Sequence, residues 1–420
     1  MIRLRKEFEV FLRCSHSMRI LMLSNMIYAL LLPVLEIFVA AYVMRNSYAV
    51  DKVVLYQLSV YAGTPVAFFL NGILLNWIGT KHLYAAGMLL SGVAMMMIMV
   101  WSVLTPVGIA TSGLTMGVAT GFFWANRIVL ALSTTDDSNR NYYYGVELFV
   151  ATLASVAIPA LIGWFISGTV LYGWLGGVVN HAYRIIAVVF LCLTIVAAGL
   201  LERGSFRTPS RTRFLFIRFH PLWRRMIELA LLKGLAQGYI LTVPAMLILL
   251  FVGQEGTLGA MQAIGGVVSA CLIYAAGRFA GPRHRRFIFA AGLVLFFVGA
   301  LFNALFFNAL GVLIFIGCLL LAKPLLDLGY HPTELRVVDV VSRLEQRNEY
   351  AYFFNHDLGL FTGRALGCLL FLAIFYWGSG VAALKYALPI IALAQLYSIR
   401  VAGRIIRELE VVDQTAGNLQ

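Results

Sequence analysis

Apolar runs of twenty residues and more recur along this chain, as in the stretch from Leu83 to Leu104. A helix needs about 20 apolar residues to cross the hydrocarbon core of a bilayer. Twelve such helices would use about 240 residues of the 420 present and leave the rest for ends and connections. Charged residues make up 12% of the sequence and hydrophobic ones 61%, against roughly 25% charged in soluble domains. A soluble globule is therefore excluded. An outer-membrane barrel is excluded as well, because its strands alternate in polarity over segments of about ten residues. The expected fold is an all-α integral membrane protein with twelve transmembrane helices and short loops.

Polar breaks place the helices near residues 19–44, 53–77, 82–104, 107–131, 145–167 and 184–201, then 226–251, 257–278, 287–307, 310–332, 350–376 and 382–406. This divides the chain into a first six-helix bundle over 1–201, a basic cytoplasmic linker over 202–225 and a second bundle over 226–420. The linker carries Arg203, Arg207, Arg211, Arg213, Arg218, Arg224 and Arg225, a composition suited to a membrane surface.

The net charge of +13 is a topology signal. With the amino terminus in the cytoplasm, 24 of the 32 basic residues fall on the inner side and only Arg45, Lys52, Arg184 and Lys385 on the outer. Positive residues concentrate on the cytoplasmic side of membrane proteins, so both termini are expected there, in a multi-pass protein of the bacterial inner (plasma) membrane. The same distribution accounts for the basic pI without nucleic acid as a partner. The first apolar stretch is too long for a cleaved signal peptide. Five cysteines, four of them within apolar runs, give no disulfide framework and no zinc spacing.

The two halves echo each other. Gly72 to Leu83 reads GILLNWIGTKHL and Gly277 to Ile288 reads GRFAGPRHRRFI, an offset of 205; Arg140 and Arg347, in later loops, match at 207. Parallel six-helix repeats joined by a linker characterise one large transporter class. On these features the chain resembles the major facilitator superfamily along nearly its whole length. The resemblance is best in the loop after the second helix, where Gly72, Asn76, Gly79 and Lys81 follow the family's gating pattern, with Asn76 standing where the family has an acid. Pro159 and Gly163 resemble a worn form of the proline and glycine motif of family antiporters. The arginine that many family exporters carry early in helix four is absent. The resemblance implies two pseudo-symmetric bundles, with helices one, four, seven and ten around a central cavity.

Ionisable groups inside spans cost about 2.5–3.5 kcal/mol each on insertion scales, so those retained are functional candidates. Glu36, Arg127, Glu147, Lys233, Lys323, Asp327, Asp357 and Arg364 all lie on helices one, four, five, seven, ten and eleven. Glu36, Asp327 and Asp357 are the candidates for proton coupling. Arg127, Glu147, Lys233, Lys323 and Arg364, with Trp124, Tyr239 and Tyr330, are the candidates for lining the substrate cavity. Lys323 and Asp327 stand four apart on one helical face and can pair, with Asp357 at similar depth. Arg127 and Glu147 can clasp a helical hairpin. Glu36, about 17 residues into its helix, is level with Arg364, about 15 residues into helix eleven, which suggests a bridge between the halves. His331 and His356 can titrate near neutral pH but offer no metal site. Glycines at 113, 117, 121 and at 359, 363, 367 repeat every four residues, which allows close helix packing.

Four acids and four bases in this set point to a small polar or zwitterionic organic substrate. The expected function is secondary transport by alternating access, proton-coupled, with export slightly favoured. A lipid or lysolipid translocase and an uncoupled facilitator are the alternatives on the same fold. No GxxxxGK[ST] loop, HExxH or serine-nucleophile pattern occurs, so neither an enzyme nor a bound cofactor is expected. A single chain holds both halves and is expected to act as a monomer.

Overall fold

The computed structural model describes residues 11–100, 104–135, 139–206, 216, 218–252, 255–279, 284–347 and 349–417. The expectations placed on Arg207, Arg211 and Arg213 of the linker and on residues 280–283 of the second loop repeat lie outside these residues. Among the described residues twelve long helical units run in order: α1 His16–Ser47, α2 Val50–Leu74, α3 Thr80–Val100, α4 Pro106–Thr134, α5 Arg140–Leu171, α6 Val179–Glu202, α7 Pro221–Phe251, α8 Glu255–Phe279, α9 Arg285–Phe306, α10 Ala309–Glu345, α11 Glu349–Trp377 and α12 Gly380–Gly417. All of them except α8 contain a window long and apolar enough to cross a membrane. Helices dominate because lipid offers no hydrogen-bond partners, so each spanning segment must satisfy its own backbone.

Several helix starts are written locally. Thr105 and Asn308 accept hydrogen bonds from the amides of Gly108 and Gly311, at 3.1 and 3.0 Å, and Pro106 and Pro221 occupy first-turn positions where no amide proton is needed. Several boundaries differ from expectation: α12 continues to Gly417, past the expected end near residue 406, and α5 begins at Arg140, before residue 145. α7 begins at Pro221, so Arg224 and Arg225 belong to its first turns and not to the linker. α10 continues through Pro332 to Glu345, where the sequence suggested a stop near residue 332.

The repeat is visible in the packing. In the first half α1 packs on α5 and α6, α2 on α4, and α3 on α4 and α6; in the second, α7 packs on α11 and α12, α8 on α10, and α9 on α10 and α12. The halves meet along α2 with α11 and along α5 with α8. The bundle has a terminal end, where α1 begins, and an opposite loop end. Outward faces of α5 and α6 expose Phe149, Leu161, Val188 and Ile195, the composition of a surface that meets lipid.

Glycine sets the closest approaches. A Cβ on Gly117 of α4 would stand 2.9 Å from Gly63 Cα of α2, and one on Gly234 of α7 would stand 3.0 Å from the Arg364 amide of α11. Between the halves, a Cβ on Gly163 would lie 2.9 Å from the Glu255 carbonyl and 3.1 Å from Gly259 Cα. Such contacts bring backbones together where lipid provides no hydrophobic drive. Gly117→Ala should therefore destabilise the protein by about 1–3 kcal/mol. Gly199→Ala, where a Cβ meets open space, should leave the melting temperature in detergent unchanged or slightly raised.

Candidate substrate cavity

Two helix breaks shape the interior. Pro33 lacks an amide proton, and the helix after it widens into a π-turn over Val34–Phe38 before returning to α geometry. Glu36 sits in that turn. At the corresponding place in the repeat, α7 breaks after Ile240 and restarts at Val243, with Pro244 in its first turn. Between these breaks and the middle of α10 lies a cavity of about 340 Å³.

The cavity is unevenly shared. The first half contributes Pro33, Glu36 and Ile37 from α1 and Ser155 from α5; the second half contributes α7, α8, α10 and α12, with Phe289 of α9. α4, one of the four helices implied by the resemblance, contributes no lining residue; it packs on α2 and α3.

Of the expected lining residues, Lys233, Lys323 and Tyr330 line the cavity, and so do Glu36 and Asp327. On α7 the lining positions Lys233, Gln237, Ile240 and Pro244 repeat at helical spacing. Tyr239 points the other way; it is fully buried against Phe371, ring centres 4.9 Å apart, and does not line the cavity. Trp124 also lies outside the lining, edge-on to Phe123 at 5.2 Å.

The charge pairs differ from those drawn from spacing. Asp327 Oδ1 lies 3.3 Å from Lys233 Nζ on α7, not against Lys323. Lys233 is the more deeply buried lysine and has the greater need of a counter-ion. Its ammonium also lies 3.3 Å from His331 Nε2 and 3.9 Å from the Tyr330 ring centre. Lys323 makes no hydrogen bond or ion pair among the described residues and faces the cavity. Arg364 does not bridge to Glu36. Its Nη2 and Nε donate to Gln237 Oε1 at 2.7 and 3.2 Å, and its guanidinium lies 4.6 Å from the Phe361 ring. Glu36 is likewise without a hydrogen-bond or ion-pair partner among the described residues.

Asp357 joins a different group from the one expected. From Asp327 a chain of titratable side chains runs toward the terminal end: His331 Nδ1 to Glu334 Oε2 at 3.2 Å, Glu334 Oε1 to His356 Nδ1 at 3.3 Å, and His356 Nδ1 to Asp357 Oδ1 at 3.3 Å. The Tyr330 hydroxyl lies 2.6 Å from His356 Nε2. If it donates there, the Nδ1 proton is left to the carboxylates. Glu334 was missed because α10 was expected to stop near residue 332. The available signal was the spacing of Asp327, His331 and Glu334 along one helical face.

Arg127 and Glu147 meet through two contacts, at 2.8 and 3.0 Å, away from the cavity. Asn25 donates to Glu147 Oε1 at 3.1 Å and to the Tyr143 hydroxyl at 2.8 Å, and accepts from Tyr84 at 2.7 Å. In the loop after α2, Asn76 donates to the Ile73 carbonyl at 3.0 Å. Gly72 lies in the last turn of α2 and Gly79 just before α3. Lys81 finds its acid on another helix, Glu202 of α6, at 3.0 Å, and His82 shares that carboxylate.

No family model matches the sequence. The chain is 25% identical over 366 residues to the uncharacterized protein YqgE of Bacillus subtilis, a match covering 83% of this chain and 80% of that one. Among solved structures, a mutant of the nucleoside transporter NupG superposes with a TM-score of 0.68 over 93% of this chain and 100% of that one, at 12% identity. The chain has the major facilitator fold.

The Arg127–Glu147 pair gives a check on the first half. Removing one partner leaves the other charge buried and uncompensated. Glu147→Gln should lower stability by up to about 3 kcal/mol, and adding Arg127→Gln should recover part of that loss in detergent melts. Strictly additive losses would contradict the pairing.

Proposed function

We propose that the protein is a secondary transporter, not an enzyme, that carries a small polar or zwitterionic organic solute across the membrane by alternating access. The observation that carries this reading is the cavity of about 340 Å³ between the two helix breaks, which holds an acid from one half and a lysine from the other. In broken-helix transporters, substrate sites lie near mid-membrane where the repeats meet. A cavity of this volume falls at the small end of the range of about 300–1,000 Å³ for ligand sites. The fold likeness to a nucleoside transporter supports the transporter class; the substrate reading rests on the cavity's charges.

Proton coupling is assigned to Glu36, Asp327 and Asp357. Asp327 faces the cavity, and the His331, Glu334 and His356 chain links it to Asp357, a continuous set of groups able to take and release protons. Export is the favoured direction, on the Pro159 and Gly163 pattern in α5. No nucleic acid and no bound cofactor enter this reading, and the single chain works as a monomer in the bilayer.

Proteoliposomes carrying an imposed pH gradient test the reading. The native protein should accumulate or expel a solute from a mixed metabolite pool against its own gradient. Glu36→Gln and Asp327→Asn should abolish the gradient-driven component. Failure of every water-soluble compound to move under either gradient polarity would reject it.

The inner-membrane topology is open to a separate check. With both termini cytoplasmic, a green fluorescent protein fused after Gln420 should fluoresce in a bacterial host, and alkaline phosphatase fused there should be inactive. The reverse pattern would invert the orientation.

A further inference from the structure

The cavity's charged groups divide into neutralised and free. Asp327 and Lys233 answer each other at 3.3 Å. Glu36 in the π-turn of α1 and Lys323 just before Pro324 of α10 make no hydrogen bond or ion pair among the described residues, although Lys323 lies within electrostatic reach of Asp327, and both face the same space. Both side chains are exposed to the cavity space, where water can solvate them, so two unpaired groups of opposite sign facing one cavity form a site where a ligand of matching charges can replace that water. The cavity lining also holds neutral hydrogen-bonders, among them Gln262, Ser269 and Ser398, the last with a buried hydroxyl that has no partner among the described residues.

The remaining wall is aliphatic, with Ile37, Ile240, Ile316 and Leu320. Among the described lining residues the aromatics are Phe289 and Tyr330, and Lys233 already lies over the Tyr330 ring at 3.9 Å. A flat aromatic solute finds little to stack on; a branched aliphatic chain finds matching surface.

We propose that the cavity binds an aliphatic zwitterion of amino-acid or dipeptide size, with its ammonium on Glu36 of the first half and its carboxylate on Lys323 of the second. This deepens the transport reading, on which it rests for the identity of the cavity as the transport site. It also gives Glu36 a second role beside proton coupling, as the carboxylate for which the substrate ammonium and the proton compete. A ligand spanning both poles ties the halves to each other, which links binding to their relative movement.

The test is direct binding to purified full-length protein in nanodiscs, with L-leucine and L-leucyl-L-leucine as probes. Their N-acetyl forms lack the ammonium, their amides lack the carboxylate, and uridine stands for an aromatic solute. The native protein should bind at least one zwitterion about ten- to a hundredfold more tightly than either of its blocked forms, the range expected for one charge-assisted bond. Glu36→Gln should erase the preference over the N-acetyl form while keeping that over the amide. Lys323→Gln should do the opposite. A misfolded variant would lose both preferences together, so the crossed pattern is its own control. The proposal is overturned if blocked forms bind the native protein as well as the zwitterion, if uridine binds in their place, or if no probe binds. Charge-selective binding without movement in proteoliposomes would reject transport and leave this site standing; gradient-driven movement of an uncharged solute would do the reverse.

Discussion

A charge inside a bilayer must be answered by another group or by water, and the interior of this protein is arranged around that requirement. Lys233 draws α7 to Asp327 on α10, Arg364 draws α11 to Gln237 on α7, and Arg127 draws α4 to Glu147 on α5. With each buried ion in a span costing about 2.5–3.5 kcal/mol on insertion scales, these pairs are conditions for the helices to sit in lipid at all. What they leave over is informative. Glu36 and Lys323 are the cavity charges that the surrounding helices do not answer.

Backbone irregularities place those two groups. The π-turn after Pro33 carries Glu36 into the cavity, and Pro324 follows Lys323 directly. The break in α7 falls at the same place in the second repeat as the π-turn does in the first. Irregular backbone at membrane depth is tolerated where it lines a cavity, so both breaks lie where the solvent requirement is relaxed.

The spans and the fold were legible because hydropathy is a one-dimensional signal. Twelve apolar runs, a basic inner side and an echo at about 206 residues require no knowledge of which face each helix presents. The pairings require that knowledge. Depth alone made Glu36 level with Arg364, and spacing alone made Lys323 a neighbour of Asp327, yet rotation about each helix axis decides who meets whom. Tyr239 shows the same limit: six residues from Lys233, it lies well around the helix and packs on Phe371. Glu334 was lost to a different cause. Pro332 reads as a helix stop in water, but a proline inside a packed membrane bundle is tolerated, and α10 runs on.

The asymmetry between the halves bears on how the proposed cycle could work. At the loop end, Arg45 of α1 ion-pairs with Glu255 of α8 at 2.6 Å, the Tyr376 hydroxyl of α11 lies 3.4 Å from Asp51 of α2, and Gly163 meets Gly259 backbone to backbone. Contacts this close cannot slide far without clashing, so relative motion of the halves has to be a rotation that keeps α5 against α8 or separates them at this end. The cavity begins just beyond that contact, with Ser155 and Ser269 on the same two helices. Within each half, tight glycine packing of α2 on α4 and of α7 on α11 holds the helices as a unit. In the proposed cycle the halves therefore turn about the α5–α8 contact, with Glu36 and Lys323 on opposite sides of the space between them, and a solute that touches both is in position to feel, and to bias, which end is open.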